Sequence, residues 1–178
     1  MAKAMVTKKS TTAKVSVVTK NAPTKSGGTK APKKPAANAP AKSTAKGSGT
    51  KEKPWLLTTP SGSSEYQMYK DAGGPEPVLV CTVGKTELRY QWGALGDLHA
   101  MLKAHGDWMP LGSADEQKPA AEGTVEAWGR SATNPVGGWY GMKKGLRGRF
   151  GMYIPPLMEA LGMAEVEHNA KNNRMRAK

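Results

Sequence analysis

The chain has 178 residues, 27 of them Lys or Arg and 14 Asp or Glu, with a formal net charge of +13 and a single cysteine, Cys81. One cysteine excludes an intramolecular disulfide, and no apolar stretch approaches the roughly 18 residues of a membrane span. Met1 to Lys20 has no signal-peptide apolar block either, so a soluble, cytoplasmic protein without membrane contact is the expectation. Thirteen of the lysines fall in residues 1–53, where Glu52 is the only acid and no aromatic occurs, so this segment holds about +12 of the net charge. Ala, Pro, Thr, Ser and Gly fill the gaps, and such a polar, self-repelling segment cannot bury a core. It is expected to be a disordered tail that seeks a polyanion, with Lys8, Lys9, Lys33 and Lys34 as its paired cations.

Residues 31–37 (Ala-Pro-Lys-Lys-Pro-Ala-Ala) and 39–46 (Ala-Pro-Ala-Lys-Ser-Thr-Ala-Lys) resemble in composition the tails of linker histones and of lysine-rich bacterial nucleoid proteins. That resemblance implies nucleic acid as the partner.

Every tryptophan and tyrosine and the lone Phe150 lie after residue 53, which places one globular domain at 54–178. Its charge is split: residues 54–129 hold five basic and ten acidic side chains, net −5, and residues 130–178 hold nine basic and three acidic, net +6. The acidic half could take a protein partner; the basic half faces nucleic acid.

The expected fold class is α+β. Trp55 to Thr58 reads as a strand, Glu65 to Lys70 alternates, Pro77 to Val83 is a buried apolar strand, and Thr86 to Trp92 alternates with Leu88, Tyr90 and Trp92 on one face. Turn residues separate these segments, predicting a small antiparallel sheet. Leu95, Leu98, Met101 and Leu102 form a helical stripe closed by Gly106, completing a subregion at 54–106. Residues 107–121 read as a loop and 122–130 as a short helix with Val125 and Trp128. The stretches 105–109, 113–120, 122–130, 134–141 and 143–151 resemble signatures of an uncharacterised family of small bacterial proteins, a resemblance that implies no function.

Residues 131–178 carry the functional expectation. Trp139 to Gly148 is a candidate helix weakened by glycines, Arg149 to Gly151 a turn, and Tyr153 to Leu161 a second helix with Pro155 and Pro156 in its first turn. Met163 to His168 and Asn173 to Ala177 read as strands about a tight turn. Helix, turn, helix and basic-tipped hairpin together resemble a winged helix-turn-helix module. Lys143, Lys144, Arg147 and Arg149 crowd into seven residues, and clustering of that kind suits phosphate contacts; the alternative is a solvated face pairing with the acidic half. Arg147-Gly148-Arg149 resembles the Arg-Gly-Arg of minor-groove hook peptides, with Phe150 in place of proline. Lys171, Arg174 and Arg176 would lie near the groove or backbone, or else protect an edge strand.

Nothing in the chain asks for an enzyme, a cofactor or a metal. His99 and His105 do not share a helical face, His168 is isolated, Cys81 sits in an apolar strand, and residues 137–144 lack the Gly-Lys-Ser/Thr ending of a phosphate loop. The expected function is non-enzymatic, nucleoid-associated or regulatory binding of nucleic acid, double-stranded DNA ahead of RNA. A protein-interaction module localised by its polycationic tail is the alternative.

Overall fold

A computed structural model describes residues 45–112, 114, 118–142 and 149–178. The first sheet is a four-stranded antiparallel meander of β1 (Trp55–Thr58), β2 (Glu65–Asp71), β3 (Val78–Val83) and β4 (Thr86–Gln91), in sequence order. Its period-two patterning fixes the register: Leu57 faces Tyr66, Met68 faces Cys81, and Cys81 faces Leu88, so all five turn to the core. On β3 the opposite face is buried too, with Val80 fully so, which is why that strand is a continuous apolar run.

Helix α1 (Ala94–His105) follows, stopped at Gly106, whose φ of 74° lets its amide bond back to the Leu102 carbonyl. Leu95, Leu98 and Leu102 bury one stripe of it, each stabilising the fold by about 1.5–3 kcal/mol. Helix α2 (Val125–Trp128) is a single turn capped by the Thr124 hydroxyl, which accepts from Ala127 N at 3.1 Å. Helix α3 (Phe150–Ala160) is apolar almost all round and lies in the same core as the meander and α1. None of the described helices is long and apolar enough to cross a membrane.

The second sheet has the order β5-β7-β6, built from β5 (Met109–Pro110), β6 (Ala164–Val166) and β7 (Arg174–Ala177). The α+β class and the antiparallel meander are as expected; several details are not. The hydrogen-bonded fold reaches back past the compositional break at residue 53: Leu56 N donates to Lys46 O at 2.8 Å, and Ser48 N and Gly49 N both donate to Lys53 O at 3.0 Å. Residues 139–142, expected to begin a helix, are extended. Gln91 N donates to Tyr140 O, Met142 N donates to Arg89 O, both at 2.9 Å, and Gly141 bridges Tyr90, so this segment covers the β4 edge. The remainder of that expected helix, residues 143–148, lies outside the described residues.

Helix α3 starts at Phe150, three residues before the expected start, because Phe150 is anchored in the core. Pro155 and Pro156 therefore stand in the second turn, where neither can donate to the carbonyl four residues back. The C-terminal hairpin forms as expected, but β7 is the middle strand of three. Its outer neighbour β5 falls in a stretch expected to be loop, since a two-residue strand has no readable period.

Candidate nucleic-acid interface

Of the cations that the sequence singles out, Lys8, Lys9, Lys33, Lys34, Lys143, Lys144 and Arg147 lie outside the described residues. The span 143–148 has anchored ends. Met142 is hydrogen-bonded to β4 on one side, and on the other Arg149 is exposed at the start of α3, its guanidinium 4.0 Å from Met152 Sδ.

The hairpin cations meet a different fate from the one expected. Antiparallel pairing sets Glu165 opposite Arg176, and Glu167 N donates to Arg174 O at 2.9 Å, so both acids stand beside both arginines on the outer face of the sheet. Arg176 Nε donates to Glu165 Oε2 at 2.7 Å, and Arg174 grips Glu167 with Nε at 3.0 Å and Nη2 at 2.6 Å. This bidentate contact holds the Glu167 carboxyl below its usual range. Both guanidinium groups also lie over Trp108, at 4.8 Å for Arg176 and 5.6 Å for Arg174. Arg174 and Arg176 do share a face, as the strand period requires, but carboxylates already occupy them.

Lys171 is exposed in the hairpin turn, beside Asn172 with its left-handed φ of 57°. The turn forms one wall of a half-open groove of about 690 Å³, whose other walls are Pro60, Leu111, Thr124 and Met152. Arg174 lies on the same wall as Lys171, so these two are brought together, while Arg149 stands just before α3.

Glu126 escaped notice in the sequence. It is fully buried, accepts from Arg130 Nε at 2.7 Å through Oε1, and accepts from Gly151 N at 2.6 Å through Oε2. Burial pushes its carboxyl up, while the Gly151 amide and the Arg130 and Arg149 charges oppose that rise. The buried carboxylate thereby caps the first turn of α3 from 25 residues upstream of the amide it accepts from. Arg130 in turn donates to Lys118 O at 3.2 Å and Ala114 O at 3.1 Å, binding that loop to the same point. The i, i+4 spacing of Glu126 and Arg130 was the available signal.

Trp139 and Tyr140 are flanked by glycines and stand next to the basic run, a setting that suits base stacking in nucleic-acid-binding proteins. Tyr140 is fully buried, stacks on Trp128 and Phe150, and donates its hydroxyl to Asp97 Oδ2 at 2.9 Å. Burial and the Asp97 carboxylate together push that phenol well up. Trp139 is half-buried, edge-on to Tyr90 and Phe150, and its indole presses on Gly141, where any Cβ would lie 2.0 Å from Nε1. Both serve the core. Among the described residues no group of three His, Cys, Asp or Glu side chains converges as a metal site.

Residues 47–178 match a Family of unknown function (DUF6855), and the chain belongs to that family. No curated protein and no solved structure matches it.

Proposed function

We propose that the chain is a non-enzymatic nucleic-acid-binding protein, nucleoid-associated or regulatory, whose first partner is double-stranded DNA. One observation carries this: thirteen lysines against one acid in residues 1–53, joined to a domain whose own charge is close to neutral. Phosphate neutralisation with counterion release gives such a tail sequence-independent affinity. The domain adds position through the run Lys143, Lys144, Arg147 and Arg149, with Lys171 at the hairpin. In this proposal α3 and the β6–β7 hairpin stand for the helix and wing of a winged module, without a described first helix.

A second function is favoured by the pairing of Arg174 and Arg176 with Glu167 and Glu165. With these cations spent, the domain would bind a protein through its acidic half, and the tail would only localise it. Glu65 and Glu87 stand exposed on the outer face of the meander there.

Gel-shift titrations of the full chain, residues 45–178 and the tail alone, at several salt concentrations, separate these proposals. If about eight tail lysines engage, log K falls against log[salt] with a slope of about −7, and removing the tail abolishes most of it. Unchanged affinity and slope without the tail would refute the division of labour. Charge reversal of Lys143, Lys144, Arg147 and Arg149 that leaves DNA binding by residues 45–178 unaltered would favour the protein partner.

A further inference from the structure

Residues 45–53 belong by composition to the tail, yet they are tied into the fold. Leu56 N holds the Lys46 carbonyl at 2.8 Å, the Ser48 and Gly49 amides converge on Lys53 O, and Lys70 N donates to Gly49 O at 2.9 Å. Two glycines make this hook possible. Gly47 has φ of 121°, and a Cβ there would lie 2.0 Å from the Pro54 carbonyl oxygen; Gly49 has φ of 75°, and a Cβ there would strike the Trp55 ring at 2.1 Å. The hook is thus clamped against the β1–β2 end of the meander with its lysines outward: Lys46, Lys51 and Lys53 are all exposed.

Lys70, exposed at the end of β2, is joined to the hook by its own amide, and its ammonium sits 4.3 Å from the Trp92 ring centroid. The ring fixes a side chain that would otherwise be mobile and leaves its N–H donors free to turn outward. Asp71, the neighbouring acid, is directed to Arg89 at 3.5 Å, and Glu52 is the single carboxylate on the hook.

We infer that the hook and the β2 end form a preorganised phosphate-binding edge, on which Lys51, Lys53 and Lys70 contact phosphates of the same nucleic acid that the tail engages. The inference rests on the nucleic-acid function proposed above and deepens it. The backbone that carries the hook's lysines is ordered before nucleic acid arrives, so these side chains contact phosphate without the entropy cost of ordering a chain on binding.

The test uses the full chain, with Lys51, Lys53 and Lys70 changed to Ala together, against a control with Lys85, Lys103 and Lys118 changed to Ala. Both triples remove the same charge, and Lys85 lies in the turn at the opposite end of the meander. Fluorescence anisotropy with a labelled mixed-sequence duplex and an equal-length oligo-dT gives the salt slopes, and circular dichroism melts verify folding of both variants. The hook triple is expected to lower the slope by about 2.7, three contacts at roughly 0.9 each, so that its loss of affinity between 50 and 200 mM salt is about 40-fold smaller than that of the wild type. The control is expected to stay within about 0.5 of the wild-type slope. Equal changes in both triples, or none in the hook triple, would overturn the inference and leave the tail's role standing; failure of the wild type to bind either probe would remove both. A second measurement, acetylation footprinting of the wild type, is expected to show Lys51, Lys53 and Lys70 protected by the duplex. Undiminished reactivity at all three would also overturn the inference.

Discussion

Changing Arg130 to Met should destabilise the fold more severely than any surface charge change, because it strands a buried anion. Glu126 is fully buried and the Arg130 side chain only 12% exposed, so the pair is shielded from water on both sides. Removing one partner of such a pair costs about 3–5 kcal/mol. For a domain of this size that corresponds to a fall in Tm of roughly 10–20 °C. The Lys118 and Ala114 carbonyls lose their donor in the same step. The deficit must also depend on pH. Burial already pushes the Glu126 carboxyl above its usual 4.5, and without Arg130 it rises further. A carboxyl whose folded value exceeds its unfolded value binds its proton more readily in the folded chain, so stability declines as pH rises from the unfolded value through the folded one. Arg130→Met should therefore be most damaging near pH 8 and less so near pH 5. Adding Glu126→Gln should recover part of the loss, since the amide oxygen can still accept from Gly151 N. Urea melts of wild type, both single variants and the double variant at the two pH values measure this. A deficit below about 1 kcal/mol at pH 8, or one that does not shrink at pH 5, or a double variant no better than Arg130→Met, would refute the account.

Two glycine-to-alanine changes in helices should have opposite signs. Gly96 on α1 has nothing within 4 Å of an added Cβ, so Gly96→Ala should stabilise by about 0.5–1 kcal/mol. Gly151 on α3 would place its Cβ 2.4 Å from Leu111 O, so Gly151→Ala should destabilise by about 1–3 kcal/mol despite the better helix propensity; thermal melts decide both. Cys81 is fully buried and desolvation pushes its thiol well up, so it should resist a thiol-reactive disulfide reagent in the native protein and react at once in denaturant. Rapid native labelling would contradict its place in the core. Changing Arg174 and Arg176 together to Ala should alter the salt slope for DNA by well under the roughly 1.8 that two free phosphate contacts would contribute, because both guanidinium groups are held by carboxylates. A drop near that value would mean DNA displaces Glu165 and Glu167.

The meander and α1 were legible because their signals are local. Alternating Tyr66 and Met68, the apolar run at 78–81 and the Gly106 stop each determine their element within a few residues. What escaped depends on distant partners. Residues 139–142 look like a poor helix until β4 offers them an edge, and the start of α3 is set by Phe150 in the core and by Glu126 reaching its first turn, against the local rule that places proline at a helix start. The interface was read through residue type alone. Counting Arg174 and Arg176 as basic was correct, but Glu-x-Glu at 165–167 facing Arg-x-Arg at 174–176 across one hairpin already spelled out their neutralisation. Compositional reading likewise assigned the hook to the tail, since Gly-Ser-Gly-Thr-Lys is linker-like wherever Trp55 is absent to pack on it.

The order β5-β7-β6 has a consequence for synthesis. A chain emerging from the ribosome can complete the meander once Gln91 has appeared, since each of its strands pairs with the next one made. The second sheet cannot be started that way: β5 waits from residue 110 until residue 174 for β7, its strand partner among the described residues, and β6 lacks the same neighbour until that moment. During that interval Met109 and, once it is made, Val166 have no Met175 opposite them, so the interval is where a slowed or stalled ribosome would leave apolar surface open to a chaperone.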